Sequence, residues 1–414
     1  MDNVSHSVAG LIAGEIIHRS LPEEKSAEAQ KTRRRLFLFC CWFASNFPDL
    51  DLILTPLLPS PLGYLLHHRG HTHTIVYALP QALLLMAGVW LLWPKARRLL
   101  KESAVVRKGF GLSIASGFAL HLLMDYLNSY GIHPFHPFDN RWLFGDMVFI
   151  VEPFFWIAFG IPMAFTFASS LWRWFFAGLL FVLPIFGLYA GLLPWFSFLI
   201  LLLIAGILIA VSTKSQPNST APFVLAAMLG LCFVGVQSFA SGFAKRTIIE
   251  QLGRLEPKAS FVDASASSYP TNPFCWSFTS FEANEEGNFY RLKRGYLSLA
   301  PTLLTVDRCP KNLSADDHST LSKDSNDQIF YQGEERGDLA YFRKMAQENC
   351  HIGAWLRFAR MPLVKEDEAL DLRFARGPRG NFTTLKLKEF RDLACATNVP
   401  PWTPPRADLI GGTK

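Results

Sequence analysis

The sequence of 414 residues predicts an all-α polytopic membrane domain of about 7–8 helical segments, followed by a small α+β soluble domain. Three observations carry that expectation. From about Leu36 to Phe243 the chain is built from long runs of Leu, Phe, Ile, Ala and Trp. From residue 246 onward it reads like an ordinary soluble protein. Basic residues gather in the short turns between apolar runs, as they do on the cytoplasmic side of membrane proteins. The boundary is placed so that residues 1–245 form the membrane domain and residues 246–414 the accessory domain.

A helix needs about 20 apolar residues to cross a bilayer. Thr74–Trp93 carries no charge, and Phe110–Tyr130 contains only His121 and Asp125. Met147–Leu171 is apolar apart from Glu152; Trp174–Leu193, Trp195–Ser212 and Ala221–Phe243 follow. Leu36–Leu58 is a further segment, interrupted by Asn46, Pro48, Asp49 and Asp51. Val4–Ile17 is short and holds Glu15, which suits a partial or tilted span. It does not fit a signal peptide, because Asp2 replaces the usual basic start.

Charge sets the expected orientation. Arg33, Arg34 and Arg35, the group Lys95, Arg97, Arg98, Lys101, Arg107 and Lys108, and then Arg173 and Lys214 all fall inside if the turns alternate. Asp49, Asp51, the His67–His73 segment, the Asp139–Asp146 loop and the tail then lie on the outer, periplasmic side of an inner membrane. Lys245 and Arg246 are the exception. Cys275, Cys309, Cys350 and Cys395 all lie in the tail, which allows two disulfides in any of three connectivities and agrees with an outer location. The net charge of +6 comes without a basic patch interleaved with aromatics, so nucleic acid is not an expected partner.

In the tail, Trp276–Phe281 and Phe289–Leu299 alternate apolar and polar residues around Glu285-Glu286-Gly287-Asn288, which predicts a β-hairpin. Asp338–Cys350 has a helical pattern, Leu370–Phe374 and Phe382–Leu387 read as strands, and Ser314–Asp327 as a polar loop. The tail carries no Gly-rich phosphate loop, nucleophile elbow or paired metal-ligand motif.

Chemistry concentrates in the membrane domain, where a charged group costs about 2.5–3.5 kcal/mol to insert and so usually marks function. Four clusters stand out: His6; Asn46-Phe47-Pro48-Asp49-Leu50-Asp51; His67-His68-Arg69-Gly70-His71-Thr72-His73; and His121 with Asp125, trailed by His133 and His136. Pro48 is expected to break its helix and let a carboxylate enter a cavity. His121 and Asp125 are four apart and share a helix face. Imidazole with carboxylate is the donor set of Zn²⁺ foremost, with Mn²⁺ and non-haem iron as alternatives; Mg²⁺ asks for more oxygens. Such a metal activates water for attack on an ester or phosphoester, and Arg69 has the shape to clamp an anion. Each cluster also has a bland reading. His6 fits an interfacial histidine, Asp49 and Asp51 would face apart on an unbroken helix, the His67–His73 run suits a solvated loop, and His121 with Asp125 suits a self-satisfied pair. Their co-occurrence on one expected side favours a metal site.

An early His6, Pro48-Asp49-x-Asp51, the block His68-Arg69-Gly70-x-Thr72-His73, and Gly117-x-x-x-His121-x-x-x-Asp125 come in that order. Gly131, Pro134, Pro137-Phe138-x-x-Arg141-Trp142, Asp146 and Glu152-Pro153 follow. Over roughly residues 1–160 this set resembles the YdjM family of membrane-bound predicted metal-dependent hydrolases, associated with LexA regulation. The order of ligand types is also similar to that of zinc-dependent phospholipase C enzymes. The chain departs from these in lacking an amino-terminal Trp ligand and in the spacing of His133, His136 and Glu152. The resemblance implies a hydrolase. The expected metal ligands are His6, Asp49, Asp51, His68, His73, His121 and Asp125, Arg69 is the expected anion clamp, and Asp146 or Glu152 a base or supporting group. A membrane lipid or lipid-linked phosphoester is the expected substrate. The alternatives are a metal or proton transporter using the same residues, or a non-catalytic membrane assembly protein.

Overall fold

The structure is a computed structural model that describes residues 1–255, 260–310, 325–374 and 380–410. The polar loop expected over Ser314–Asp327 falls, up to residue 324, outside the described residues. The chain divides into two compact units. The first comprises Met1–Leu50, Thr72–Asn128 and Phe149–Gly235; the second comprises Asp51–His71, Ser129–Val148 and Val236–Lys414.

Helices follow in chain order as α1 (Asn3–Ser20), α2 (Ala27–Ala44), α3 (Leu62–His67), α4 (Ile75–Leu92), α5 (Pro94–Glu102) and α6 (Ala104–Tyr126). They continue as α7 (Pro153–Ala164), α8 (Ser170–Leu179), α9 (Val182–Tyr189), α10 (Trp195–Lys214) and α11 (Ala221–Leu255). In the first unit the major helices start at side-chain caps: Asp2 for α1, Ser26 for α2, Thr74 for α4, Ser103 for α6 and Glu152 for α7. Each such oxygen satisfies an otherwise orphaned N–H, worth about 1 kcal/mol.

Among the described residues, five helical stretches are long and apolar enough to cross a membrane: Ala27–Leu57, Ile75–Leu92, Ser170–Tyr189, Trp195–Lys214 and Ala221–Leu255. Pro153–Ala164 is a shorter apolar helix. Their outward faces are strongly apolar, with Leu83, Leu91, Leu171, Leu203 and Leu231 exposed, as a lipid-facing surface requires. Two expected spans are shorter or divided. Met147–Leu171 yields only α7, because Glu152 caps the helix and Pro153 opens its first turn. Trp174–Leu193 is spread over α8 and α9. The break expected at Pro48 is present: α2 ends at Ala44, and Phe47–Leu57 winds as a 3₁₀ helix.

Helices α1, α2 and α6 form the heart of the first unit. Their approach is limited by backbone contact: a Cβ on Gly10 would sit 2.7 Å from the Cys41 carbonyl oxygen, and one on Gly117 would sit 2.7 Å from the same atom. Leu36, Phe37, Leu85, Ile114 and Phe118 fill the core beside them.

The second unit is built on a four-stranded antiparallel meander, β1 (Ser260–Tyr269), β2 (Asn272–Asn284), β3 (Phe289–Ser298) and β4 (Ile329–Asp338). The hairpin expected around Glu285–Asn288 is the β2–β3 pair, in register from Cys275 with Ser298 to Asn284 with Phe289. A smaller antiparallel sheet joins β5 (Pro362–Val364), β6 (Glu368–Asp371) and β7 (Leu385–Lys386). The expected helix is α12 (Leu339–Glu348), followed by α13 (Cys350–Trp355). Ala240, Ala244, Ile248 and Leu252 of α11 pack on Trp276, Phe278 and Leu297 of the meander. Segments 51–71 and 129–148 also belong here: Trp402 donates to the Leu66 carbonyl (2.9 Å), Trp142 to that of Arg357 (2.7 Å), and Arg373 to that of Ser129 (2.7 Å). Of the three connectivities open to the tail cysteines, the structure has Cys275–Cys309 and Cys350–Cys395.

Candidate metal centre

Four expected ligands meet inside the first unit. One ligand atom each from Asp49, His73, His121 and Asp125 lies within 4.8 Å of all the others, and all four residues are buried. Three pieces of local structure deliver them. The helix break at Asn46 turns Asp49 inward from the 3₁₀ run. Thr74 starts α4 immediately after His73. One turn of α6 separates His121 from Asp125, placing both on its buried face.

The donors point at one another. His73 Nε2 is 3.3 Å from Asp49 Oδ1 and 3.2 Å from Asp125 Oδ2. His121 Nε2 is 3.8 Å from Asp49 Oδ1 and 3.4 Å from Asp125 Oδ2. His121 Nδ1 lies 2.8 Å from the Ser45 carbonyl oxygen. A carbonyl can only accept, so Nδ1 carries a proton, and Nε2 is the nitrogen that could ligate an ion beside the carboxylates. That Nε2 makes no hydrogen bond among the described residues. Thr72 Oγ1 stands 3.0 Å from His73 Nδ1. Gln81 in turn donates to the Thr72 carbonyl (2.8 Å). Such outer contacts fix ring orientation around metal ligands. Two carboxylates and two buried imidazoles are a donor set that fits a divalent cation.

His6 lies against this group. Its Nε2 is 3.2 Å from Asp125 Oδ1, and its ring stacks on His121 at 4.2 Å between centroids. The Met1 amino group also contacts Asp125 Oδ1.

The other expected residues have different surroundings. Asp51, His68 and Arg69 belong to the second unit, where Asp51 accepts the Arg69 N–H (2.9 Å) and sits 3.0 Å from His68 Nδ1. Arg69 is buried, holds the left-handed φ of 60°, and places its guanidinium 4.6 Å from the centre of the Tyr130 ring. Asp146, expected as a base, has both oxygens held by Arg360 at 2.9 and 3.0 Å, and Lys245 Nζ stands 2.6 Å away. Glu152, in the first unit, caps α7 by accepting the Phe154 N–H at 3.1 Å. In the second unit His133 lies between Trp142 and Trp402, and His136 Nδ1 meets Asn140 Oδ1 at 2.5 Å.

Sequence reasoning did not single out Ser45 or Gln81 as parts of the site, and it named Thr72 within the His68–His73 block without giving it a role. Ser45 acts through its carbonyl, which has no side-chain signature. Gln81 did leave a signal, as the lone side-chain amide in the apolar run Ile75–Leu92.

Residues 1–194 match the family model of the YdjM inner membrane protein. The likeness drawn from the motifs holds over that region. Every YdjM motif residue named above, from His6 to Glu152, lies inside it, and most of the second unit lies outside it. The chain is also similar to the uncharacterized protein YfhP of Bacillus subtilis (strain 168), at 24% identity over 170 residues. That alignment covers 41% of this chain and 47% of YfhP, so the chain spans about half the length of this relative. No solved structure matches the chain.

Proposed function

We propose that the first unit is a metal-dependent hydrolase acting on a lipid or lipid-linked phosphoester, with Zn²⁺ the best-suited ion. The observation that carries this reading is the convergence of Asp49, His73, His121 and Asp125, with His121 Nδ1 held by the Ser45 carbonyl and its Nε2 facing Asp49 and Asp125. Asp49 and Asp125 supply the anionic donors and His73 and His121 the neutral ones. A bound divalent ion supplies Lewis acidity and a water of lowered pKa. His6, packed on His121 and aimed at Asp125, holds the ligand face in place.

The surroundings favour a lipid substrate. Asp49 is 8% exposed, while its neighbours Leu50 and Ile53 on the 3₁₀ run are 57% and 81% exposed. The carboxylate therefore turns inward from a stretch whose outer side is built for acyl chains. Both tail disulfides support placing the motifs and the tail on the periplasmic side.

The test is metal analysis of purified protein beside an assay on lipid phosphoesters. Wild type should hold stoichiometric metal and cleave the substrate; His121→Ala should do neither, while remaining a monodisperse detergent complex. Full hydrolysis by metal-free His121→Ala ends the reading. Wild type without stoichiometric metal moves the transporter and assembly alternatives ahead. For orientation, the four tail thiols should react with an impermeant label on intact cells only after reductant.

A further inference from the structure

The first unit has a second polar feature, at the other end of α1. Helices α1 and α2 run antiparallel, with Gly10 against Cys41, Gly14 against Leu38 and Glu15 paired with Arg34. At 1.5 Å per residue, Glu15 lies about 14 Å along the axis from His6. There a cleft of about 640 Å³ is lined by Glu15, Arg19, Glu23, Lys31, Arg34 and Asn218, among others.

Glu15 is fully buried and held by two guanidiniums, Arg19 Nε at 2.7 Å and Arg34 Nε at 2.9 Å. Two cations on one anion leave a positive excess. Arg19 spends a terminal nitrogen on the carbonyls of Pro217 and Ser219. Arg34 engages only Nε, and its terminal nitrogens have no partner among the described residues; its side chain is 35% exposed. Lys31 stands exposed on the same wall, one turn before Arg34. Of the two further acids in the lining, Glu24 is paired with Arg33 at 3.3 Å and Glu23 is exposed and meets the Asn218 amide at 3.4 Å, so Arg19, Arg34 and Lys31 outnumber Glu15 and Glu23 by one. The spare donors are thus cationic, and one of them has the forked edge that matches phosphoryl oxygens.

We infer that this cleft binds a phosphoryl group, supplied by a phospholipid headgroup. It lies at the arginine-rich end of the helices, which the charge rule assigns to the cytoplasmic interface. Basic pockets between membrane helices at that level take lipid phosphates. The site is separate from the metal centre and serves as an anchor or sensor for the leaflet opposite the proposed chemistry.

Native mass spectrometry of the full chain, after stepwise delipidation in the presence of phosphatidylglycerol, tests the proposal. Wild type should keep about one phospholipid per chain. Arg34→Lys, which leaves a cation on Glu15 but removes the fork, and Lys31→Gln, at an exposed position, should each weaken retention about tenfold. Bound metal should be unchanged in both variants, so failure here is distinct from failure of the hydrolase reading. In a second arm, millimolar inorganic phosphate that raises the melting temperature of wild type but of neither variant would assign a soluble source and still support phosphoryl binding. Equal lipid retention by all three proteins, or no response to lipid or phosphate, overturns the site.

Discussion

Both units bury charge, and they do so with different partners. In the second unit the buried carboxylate of Asp146 and the partly buried one of Asp263 share Arg360, which meets Asp146 at 2.9 and 3.0 Å and Asp263 at 2.7 and 3.0 Å. Asp371 and Arg373 repeat the pattern at 2.7 Å. In the first unit Asp49 and Asp125 face imidazoles. A guanidinium completes a carboxylate, and the pair becomes part of the scaffold. An imidazole whose other nitrogen already gives its proton to a carbonyl turns its second nitrogen to the carboxylates, where an ion could be shared. The carboxylates of the metal centre thus face imidazoles, whereas those around Arg360 and Arg373 face guanidiniums.

The contrast breaks most sharply at Arg360. Arg360→Met removes the shared cation, leaving Asp146 to Lys245 and Asp263 to Arg406, and should destabilise the second unit by about 3 kcal/mol, the lower end for breaking a buried pair. Bound metal per folded chain should stay at the wild-type level. Loss of metal from folded Arg360→Met protein would show that the two kinds of buried charge are not independent.

A smaller effect is expected from pH. Burial alone would raise the Asp263 carboxyl, but the charge and hydrogen bonds of Arg360, backed by Arg406 and Lys245, outweigh it and hold the group at about 2. A depressed folded-state value contributes stability that is present above the ordinary 3.8 and is lost as pH falls through about 2. That gap corresponds to roughly 2 kcal/mol. The melting difference between wild type and Asp263→Asn should be full at pH 6 and close as pH drops from 4 to 2; a difference constant with pH would contradict the ion-pair account.

The smallest effect tests the imidazole side. Gln81→Leu removes the amide that holds the Thr72 carbonyl and with it the backbone beside His73. Metal affinity, measured by chelator competition, should fall about tenfold, the lower end for outer contacts of this kind. Apo-protein stability should barely change, because the replacement is apolar in an apolar helix. Unchanged affinity would remove Gln81 from the site.

These features were unequally visible beforehand. His121 and Asp125 announce themselves by helical spacing, and the β2–β3 hairpin by alternation about Glu285–Asn288. Asp49 could be suspected but not chosen over Asp51, because the answer depends on which side chain a 3₁₀ run turns inward. The grouping of 51–71 and 129–148 with the tail left no trace, since its ties join residues as far apart as Asp146 and Arg360, 214 positions away. Hydropathy also overstated Met147–Leu171, where the Glu152-Pro153 helix start outweighs apolar composition.

The seating of Gly10 and Gly117 on the Cys41 carbonyl reaches further than packing. Ser45 lies one turn beyond Cys41, and its own carbonyl decides which nitrogen of His121 holds the proton. A methyl group at either glycine would wedge the three backbones apart and leave that carbonyl out of reach. The imidazole would then be at liberty to exchange its tautomers. In this protein the protonation pattern of a single ring is written in the spacing between three helices.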